Sequence, residues 1–380
     1  MLSSCKRTMG ALALCWCSIQ PVYTLAASPN PEGNEPRAAM SMAQMQHAVD
    51  KASERSSRWS GPASGPAAVS GATIAIVSED LRNGGILGVA KGIKEAADVI
   101  GWKTRVYDAS GTSEGRRNAV AAALALRPDG VILVGVDAGE MKPQLLPFAA
   151  QKIPMVGWHV GSRAGVMPDS PVAVNVSTNP LDVARITAMA AVTQSAGHGG
   201  IVVFTDSNFQ IAKAKTDAML EVIRACEDCT LLAVQDLAIS KSAGLMPAVT
   251  DRLLARHGKN WTYALAINDI YFDYAAAELT RAGRASRSLS MLSAGDGSAA
   301  AFLRIQAGTF QTGTVAEPLN LQGWQLVDEL NRLLAHQQVT GYVSPVHLVT
   351  ARNIEFDGGL LGQYDPDNGY RTIYRGIWKR

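Results

Sequence analysis

Several features that would point to metal chemistry or to nucleic-acid binding are scarce or absent in this sequence. Its six histidines are scattered and its cysteines number only five, so no cluster with metal-ligand spacing is visible. Neither an H-E-x-x-H motif nor a P-loop occurs. The 35 basic and 33 acidic residues are spread along the chain, without the basic cluster that follows a phosphate backbone. We therefore expect no nucleic-acid partner, no metal and no cofactor.

No apolar run is long enough to span a bilayer, but the N-terminus has the parts of a secretory signal peptide. Lys6 and Arg7 make it positive, residues 10–19 are apolar, and small residues precede a cleavage position near Ala26 or Ala27. An uncleaved membrane anchor is the alternative, and the absence of a longer apolar run disfavours it. The mature protein is therefore expected in the periplasm.

Only two cysteines, Cys226 and Cys229, remain after removal of this signal peptide. In an oxidising compartment so close a pair is expected to form a local disulfide. A redox-active C-x-x-C pair is the alternative. Such a pair normally follows a strand and opens a helix, whereas this one closes a helical stretch, so the disulfide is favoured.

Apolar runs of strand length alternate with helical segments from about Ala72 onward. TIAIVS, GVILVG and IPMVGW alternate with segments such as GILGVAKGIKEAADVIG, and the alternation begins again at GIVVFT. Continuous apolar strands separated by helices predict parallel sheets covered on both faces. The expected fold class is α/β, with two Rossmann-like, doubly wound parallel-sheet lobes joined near residues 177–181.

Polar or aromatic side chains follow nearly every predicted strand. Ligands of open parallel sheets bind beyond the carboxyl ends of the strands, which makes these positions a candidate site. Some of these side chains must instead cap helices, because Asp, Asn and Ser are favoured there for backbone reasons. The strand-end candidates are Asp80, Arg82, Asn83, Trp158, His159, Phe209, Asn268, Asp296 and Glu317.

Residues 72–354 resemble the type 1 periplasmic solute-binding proteins of ABC transporters, the group of the ribose- and galactose-binding proteins. The resemblance is carried by VSEDLRNGGILGVAKGIKEAADVIGW, LAINDIYFDYAAAEL, SAGDGSAAAFLRIQAG and TVAEPLNLQGWQLVDEL, in this order. It implies two lobes joined by a three-stranded hinge, with crossings near Ser177, Pro318 and Ser344. It also implies that a ligand is held between the lobes by hinge closure, without chemistry.

Five segments follow from this resemblance and from the composition of the ends. They are a signal peptide (1–27), an N-terminal extension and linker (28–71), an N-terminal lobe (72–177 plus 318–344), a C-terminal lobe (178–317 plus 345–354) and a C-terminal extension (355–380). Two roles are open for the C-terminal extension, which either packs across a lobe or forms part of a docking surface.

The resemblance also assigns positions to individual residues. Trp158 and His159 fall where ribose-type members keep an aspartate and an arginine, and residues 83–85 replace an aromatic pair. These departures argue against an ordinary aldopentose or aldohexose pocket. Four further residues fall on or near ligand contacts of the family: Lys215, Asn268, Asp296 and Glu317.

The Trp158–His159 pair is expected to meet the ligand directly. Trp158 would offer a flat apolar face, His159 a hydrogen bond, and Phe209 with Tyr271 an opposing wall. The alternative is that Trp158 packs under the hinge and that His159 is a loop histidine with satisfied hydrogen bonds.

The expected function is that of the substrate-binding component of an ABC importer for a sugar or polyol. Asp80, Asp296 and Glu317 accept hydrogen bonds from hydroxyl or ammonium groups, whereas Lys215 and Arg82 are the only cations expected to face them. This balance favours a neutral polyhydroxylated or amine-bearing ligand over a dicarboxylate or a phosphate.

Two alternatives stay open. One is a ligand sensor that docks on a membrane receptor, and the other is an importer component for an amine-bearing or aromatic solute. No enzymatic activity is expected, because paired carboxylates suit sugar binding as well as glycoside hydrolysis and no motif sets one acid apart. We expect a monomer whose partners are a small solute and a membrane permease.

Overall fold

The computed structural model describes residues 40–55, 57–358 and 361–380. The predicted signal peptide, its cleavage position and residues 28–39 of the predicted extension lie outside the described residues. The helices are α1 (Met42–Ala52), α2 (Gly84–Ile100), α3 (Ser113–Ala125), α4 (Lys142–Ala150), α5 (Pro180–Gln194), α6 (Gln210–Arg224), α7 (Ser242–His257), α8 (Ile270–Arg281), α9 (Ala299–Ala307), α10 (Leu319–Leu334) and α11 (Tyr370–Trp378).

Twelve strands within these ranges form two sheets of six. They are β1 (Thr73–Ser78), β2 (Lys103–Asp108), β3 (Gly130–Val134), β4 (Met155–Trp158), β5 (Gly165–Val166), β6 (Val174–Val176), β7 (Gly200–Thr205), β8 (Thr230–Asp236), β9 (Tyr263–Ala266), β10 (Ser290–Ser293), β11 (Gln311–Val315) and β12 (Leu348–Thr350).

The sheet of the N-terminal lobe has the order β2-β1-β3-β4-β6-β5. Its pairs are parallel except β5 with β6. β3 is apolar and fully buried, as a strand covered on both faces requires, whereas the edge strand β2 is largely exposed. The helices α2 and α10 pack on each other and cover one face of this sheet, and α3 and α4 cover the other.

The sheet of the C-terminal lobe repeats this plan with the order β12-β11-β10-β9-β7-β8. Its pairs are parallel except β11 with β12. The prediction of two α/β lobes with parallel sheets is therefore confirmed. β5 and β12 were not predicted, because strands of two or three residues are too short to show a pattern in the sequence.

Three chain crossings connect the lobes. The chain leaves the first sheet after β6 and enters α5, returns from β11 to α10, and crosses again between α10 and β12. Thr178 of the first crossing and Ser344 of the third form a parallel β-bridge. The crossings lie near Ser177, Pro318 and Ser344, and their role as a hinge stays a prediction.

Both terminal helices pack against a lobe. α1 buries Met45, Val49 and Ala52 against the core of the C-terminal lobe, although the chain that follows enters the N-terminal lobe. α11 buries its aromatic side chains in the N-terminal lobe, where Trp378 stacks on Trp324 with ring centroids 5.4 Å apart. Of the two roles open for the C-terminal extension, the structure shows packing on a lobe.

Two local features complete the fold. Cys226 and Cys229 form a disulfide just after α6, with their Cα atoms 5.3 Å apart. Among the helices of the described ranges, none has the length and apolar character needed to cross a membrane.

Candidate ligand-binding cleft

A cavity of about 390 Å³ lies between the lobes, at the carboxyl ends of both sheets. A volume of this size suits a small-molecule ligand. Eight of the eleven sequence-predicted residues line it, namely Asp80, Asn83, Trp158, His159, Phe209, Lys215, Asn268 and Asp296. Arg82, Tyr271 and Glu317 are not among the lining residues.

Asp80 and Asn83 follow β1, and their side chains form hydrogen bonds within the protein. Asp80 accepts hydrogen bonds from Arg82, with Nε at 2.8 Å and Nη2 at 2.7 Å, so its charge is neutralised within the wall. The Arg82 side chain is otherwise largely exposed. Asn83 caps α2 by accepting from the backbone N–H groups of Gly85 and Ile86.

A second ion pair of the N-terminal wall was not predicted. Glu79 and Arg116 are both buried and both line the cavity, and Arg116 Nη1 donates to Glu79 Oε1 at 2.6 Å. Arg116 Nη2 donates to Ser113 Oγ and to Glu140 Oε1 at 2.8 Å each. Burial nevertheless raises the pKa of Glu79 to about 7, because Arg116 compensates only in part.

Trp158 and His159 stack on each other, with ring centroids 3.6 Å apart and planes inclined by 11°. His159 has a left-handed backbone with φ of 52°, which turns its side chain back over Trp158. The Trp158 ring is only 1% exposed, and its Nε1 donates to Gln322 Oε1 at 2.7 Å. These contacts favour the interpretation in which Trp158 packs under the hinge, although both residues also line the cavity.

Glu317 joins the same network below the cavity floor. It accepts from Thr178 N at 3.0 Å and from Gln322 Nε2 at 2.5 Å, and its Oε1 lies 3.3 Å from His159 Nε2. Gln322 also reaches Ser344 Oγ at 3.3 Å. Side chains and backbone of all three hinge crossings therefore meet around two residues, Glu317 and Gln322.

Electrostatics keep Glu317 ionised. Burial opposes its charge, but the hydrogen bond and charge of His159, with the charge of Lys215 and the Thr178 N–H, prevail. The pKa of Glu317 falls to about 2. This residue is thus a fixed negative charge in the hinge.

Lys215, Asn268 and Asp296 form the floor on the C-terminal side. Lys215 is buried on α6 and donates to Ala294 O at 2.7 Å, which leaves two ammonium protons for the cavity. Asn268 Nδ2 donates to Asp296 Oδ2 at 2.6 Å. Burial raises the pKa of Asp296, although the neighbouring His159 and Lys215 act in the opposite direction.

Tyr271 does not form a wall of the cleft, contrary to expectation. Its ring is buried in the core of the C-terminal lobe, where it stacks on Phe204, and its hydroxyl donates to Leu237 O at 2.6 Å. Phe209, at the start of α6, does line the cavity.

One motif on the wall was overlooked in the sequence. Residues 111–115 read G-T-S-E-G, a match to the G-x-S-x-G pattern of serine hydrolases. Ser113 Oγ accepts from Arg116, and within the described part of the chain no histidine is hydrogen-bonded to it. The pattern therefore lacks the nucleophile–base pair that hydrolysis requires. The described residues also hold no group of three or more potential metal ligands.

A family model described as "periplasmic binding protein domain" matches residues 74–338. The chain belongs to this family. Periplasmic binding proteins are a solute-binding family rather than an enzymatic one, as expected from the sequence. No curated protein matches the chain.

Many solved structures share the fold of this periplasmic binding protein. An ABC sugar transporter subunit from Rhodobacter sphaeroides is 20% identical, with a TM-score of 0.64 over 74% of this chain and 99% of its own. A solute-binding protein from Agrobacterium vitis with bound allitol is 18% identical, with a TM-score of 0.65 over 75% and 97% of the two chains. One from Bacillus halodurans with bound myo-inositol is 16% identical, with a TM-score of 0.64 over 78% and 98%.

Proposed function

We propose that this chain is the substrate-binding component of an ABC importer and that it captures a neutral sugar or polyol between its lobes. The observation that carries the proposal is the pairing of charges within the cleft wall. Asp80 is paired with Arg82, and Arg116 is paired with Glu79 and Glu140. Charged groups that are already paired with each other hold hydroxyl groups well but give little attraction to a charged solute.

The remaining polar groups also suit hydroxyls. Asp206 lines the cavity and, among the described residues, accepts hydrogen bonds from N–H donors of Asn208 and Ile239. Lys215 is a buried cation with protons left to donate to ligand hydroxyl groups. The structures with bound allitol and myo-inositol have ligands of the chemistry that this wall favours.

The proposal includes location and partners. The N-terminal sequence supports secretion to the periplasm with cleavage near Ala26 or Ala27. Membership of the periplasmic binding proteins supports a membrane permease as the partner. The modest net charge of +2 gives no support to a nucleic-acid partner, and we propose that the protein acts as a monomer.

Ligand identification is the direct test. The mass of the protein purified from the periplasm is measured by native mass spectrometry before and after mild unfolding. The protein is then titrated with allitol, myo-inositol and tagatose in a thermal-shift assay. A released mass of a sugar or polyol, or a rise in Tm with one of these compounds, is expected. Release of an amine-bearing, aromatic or dianionic compound would overturn the neutral-ligand proposal.

A pair of lysine variants then tests the site. Lys215→Met removes the buried ammonium group, and affinity for the bound sugar should fall about 10-fold to 100-fold, the range for a hydrogen bond to a charged group. Lys213→Met is the matched control, because Lys213 lies on the same helix but is exposed. Equal affinities of the two variants would remove Lys215 from the site.

A further inference from the structure

The two lobes touch each other directly at one end of the cleft, across two adjacent glycines. Gly84 and Gly85 begin α2 in the N-terminal lobe, just after the capping residue Asn83. Asp296 and Ser298 face them from the loop between β10 and α9 in the C-terminal lobe. Neither glycine lines the cavity.

The space between these two loops has no room for a side chain on the glycines. A Cβ on Gly85 would lie 2.6 Å from Cβ and from Cγ of Asp296, and still closer to Oδ2. A Cβ on Gly84 would lie 2.7 Å from Ser298 Cβ. Real Cβ atoms do not approach other heavy atoms so closely, so even an alanine at either position would push the lobes apart.

The contact also has favourable electrostatics. The Asp296 carboxylate lies against the N-terminus of a 17-residue helix, where the helix dipole attracts negative charge, although the N–H groups of Gly85 and Ile86 are already bonded to Asn83. Asn268 fixes the orientation of the same carboxylate from within the C-terminal lobe. The approach of the lobes is thus attractive as well as sterically possible.

We propose that Gly84 and Gly85 form a closure seat for Asp296 and Ser298, and that this lobe-to-lobe contact holds the cleft closed even without a ligand. The glycines then determine ligand affinity without touching the ligand, because the affinity of a clamp depends on the population of its closed form. This consequence for affinity rests on the proposed function, whereas the closure itself does not.

Alanine substitution separates closure from folding. Gly84 and Gly85 have ordinary negative φ angles within a helix, so alanine should favour α2 locally while it blocks the seat. Gly111, which also meets the opposite lobe at Ser240, is less suitable because its φ of 70° makes any substitution strained. Gly244→Ala is the matched control, because Gly244 lies in the first turn of α7 with no atom within 4 Å of its Cβ position.

Small-angle X-ray scattering of ligand-free protein is the test. Small molecules are removed from each protein by unfolding and refolding, and circular dichroism verifies the fold. Wild type and Gly244→Ala should scatter as the closed structure does, and Gly84→Ala and Gly85→Ala should each show a larger radius of gyration. If the scattering curves of Gly84→Ala and Gly85→Ala superpose on that of wild type, the proposed closure seat is overturned, whether wild type is compact or expanded.

A second measurement separates this proposal from the proposed function. For every sugar that raises the Tm of wild type, Gly85→Ala should bind about tenfold more weakly while Gly244→Ala binds equally well. Unchanged affinity of Gly85→Ala would overturn the role of the seat in binding. If no sugar binds wild type, the proposed function fails, and the scattering result still decides on the seat.

Discussion

Glu79 lies in the wall of the cleft and Glu317 lies in the hinge, and both carboxyl groups are buried. Burial tends to raise the pKa of each. It prevails in Glu79, whose pKa rises to about 7 in spite of Arg116. In Glu317 it is outweighed by His159, Lys215 and Thr178, and the pKa falls to about 2. Two buried glutamates in neighbouring regions are therefore shifted in opposite directions.

The difference lies in how completely each carboxylate is hydrogen-bonded. Both oxygens of Glu317 have partners, with Thr178 N and Gln322 Nε2 on Oε2 and His159 on Oε1. Only Oε1 of Glu79 has one, from Arg116, and Oε2 is buried without a partner among the described residues. A neighbouring guanidinium is thus not sufficient to hold a buried charge, and the donors must reach both oxygens.

The largest expected effect on the free energy of unfolding comes from removing the carboxyl groups of Glu317 and Glu79. Glu317→Ala leaves three donors of the hinge without an acceptor, and the free energy of unfolding at pH 7 should fall by about 3–5 kcal/mol. Glu79→Ala leaves Arg116 with Glu140 and Ser113, so a loss of about 1–2 kcal/mol is expected. Urea denaturation measures both variants. Equal losses of stability in the two variants would contradict the difference that we infer from the hydrogen-bond donors around the two carboxylates.

The pH dependence of stability should differ in sign between the two sites. The folded pKa of Glu317 lies below its usual value of 4.5, so the stabilisation is complete above pH 4.5 and is lost as pH falls toward 2. A shift of this size corresponds to on the order of 3 kcal/mol. For Glu79 the folded pKa is raised, so stability is highest below pH 4.5 and is lost as pH rises through about 7.

Glutamine variants isolate these two contributions. The free energy of unfolding of wild type, Glu317→Gln and Glu79→Gln is measured by urea denaturation from pH 3 to pH 8. Relative to Glu317→Gln, wild type should lose stability as pH falls below 4.5. Relative to Glu79→Gln, it should lose stability as pH rises from 4.5 to 7. Parallel curves for wild type and either variant would contradict the shift assigned to that residue.

The sheets and most of the cleft could be predicted from the sequence because they depend on local patterns. The strand Thr73–Ser78 is apolar over residues 74–77 and almost entirely buried, and polar residues follow it at the sheet edge where ligands bind. Asp80 and Asn83 were found in this way, and Lys215 through the resemblance to a family. All three line the cavity.

Other features depend on pairs of residues that are distant in sequence. Arg116 enters the wall because it donates a hydrogen bond to Glu79, 37 positions earlier, and its own helix gives no sign of this. Tyr271 lies in the first turn of a helix that follows a strand, as a wall residue would, but its side chain turns into the core of the lobe. The packing of α1 and α11 on opposite lobes could likewise not be predicted from the sequence, since an apolar helix face does not reveal which surface it covers.

The smallest expected effect concerns a polar atom that, like Glu79 Oε2, has no partner within the described residues. The Tyr374 hydroxyl is buried in the N-terminal lobe and makes no hydrogen bond there, whereas the Tyr271 hydroxyl donates to Leu237 O. Tyr374→Phe should therefore be neutral or stabilise the protein by up to about 1 kcal/mol, and Tyr271→Phe should destabilise it by about 1 kcal/mol. Urea denaturation at pH 7 measures both, and each variant is the control for the other, because the same atom is removed from a buried ring. A loss of stability in Tyr374→Phe as large as that in Tyr271→Phe would mean that the Tyr374 hydroxyl has a partner, and it would weaken the same inference for Glu79.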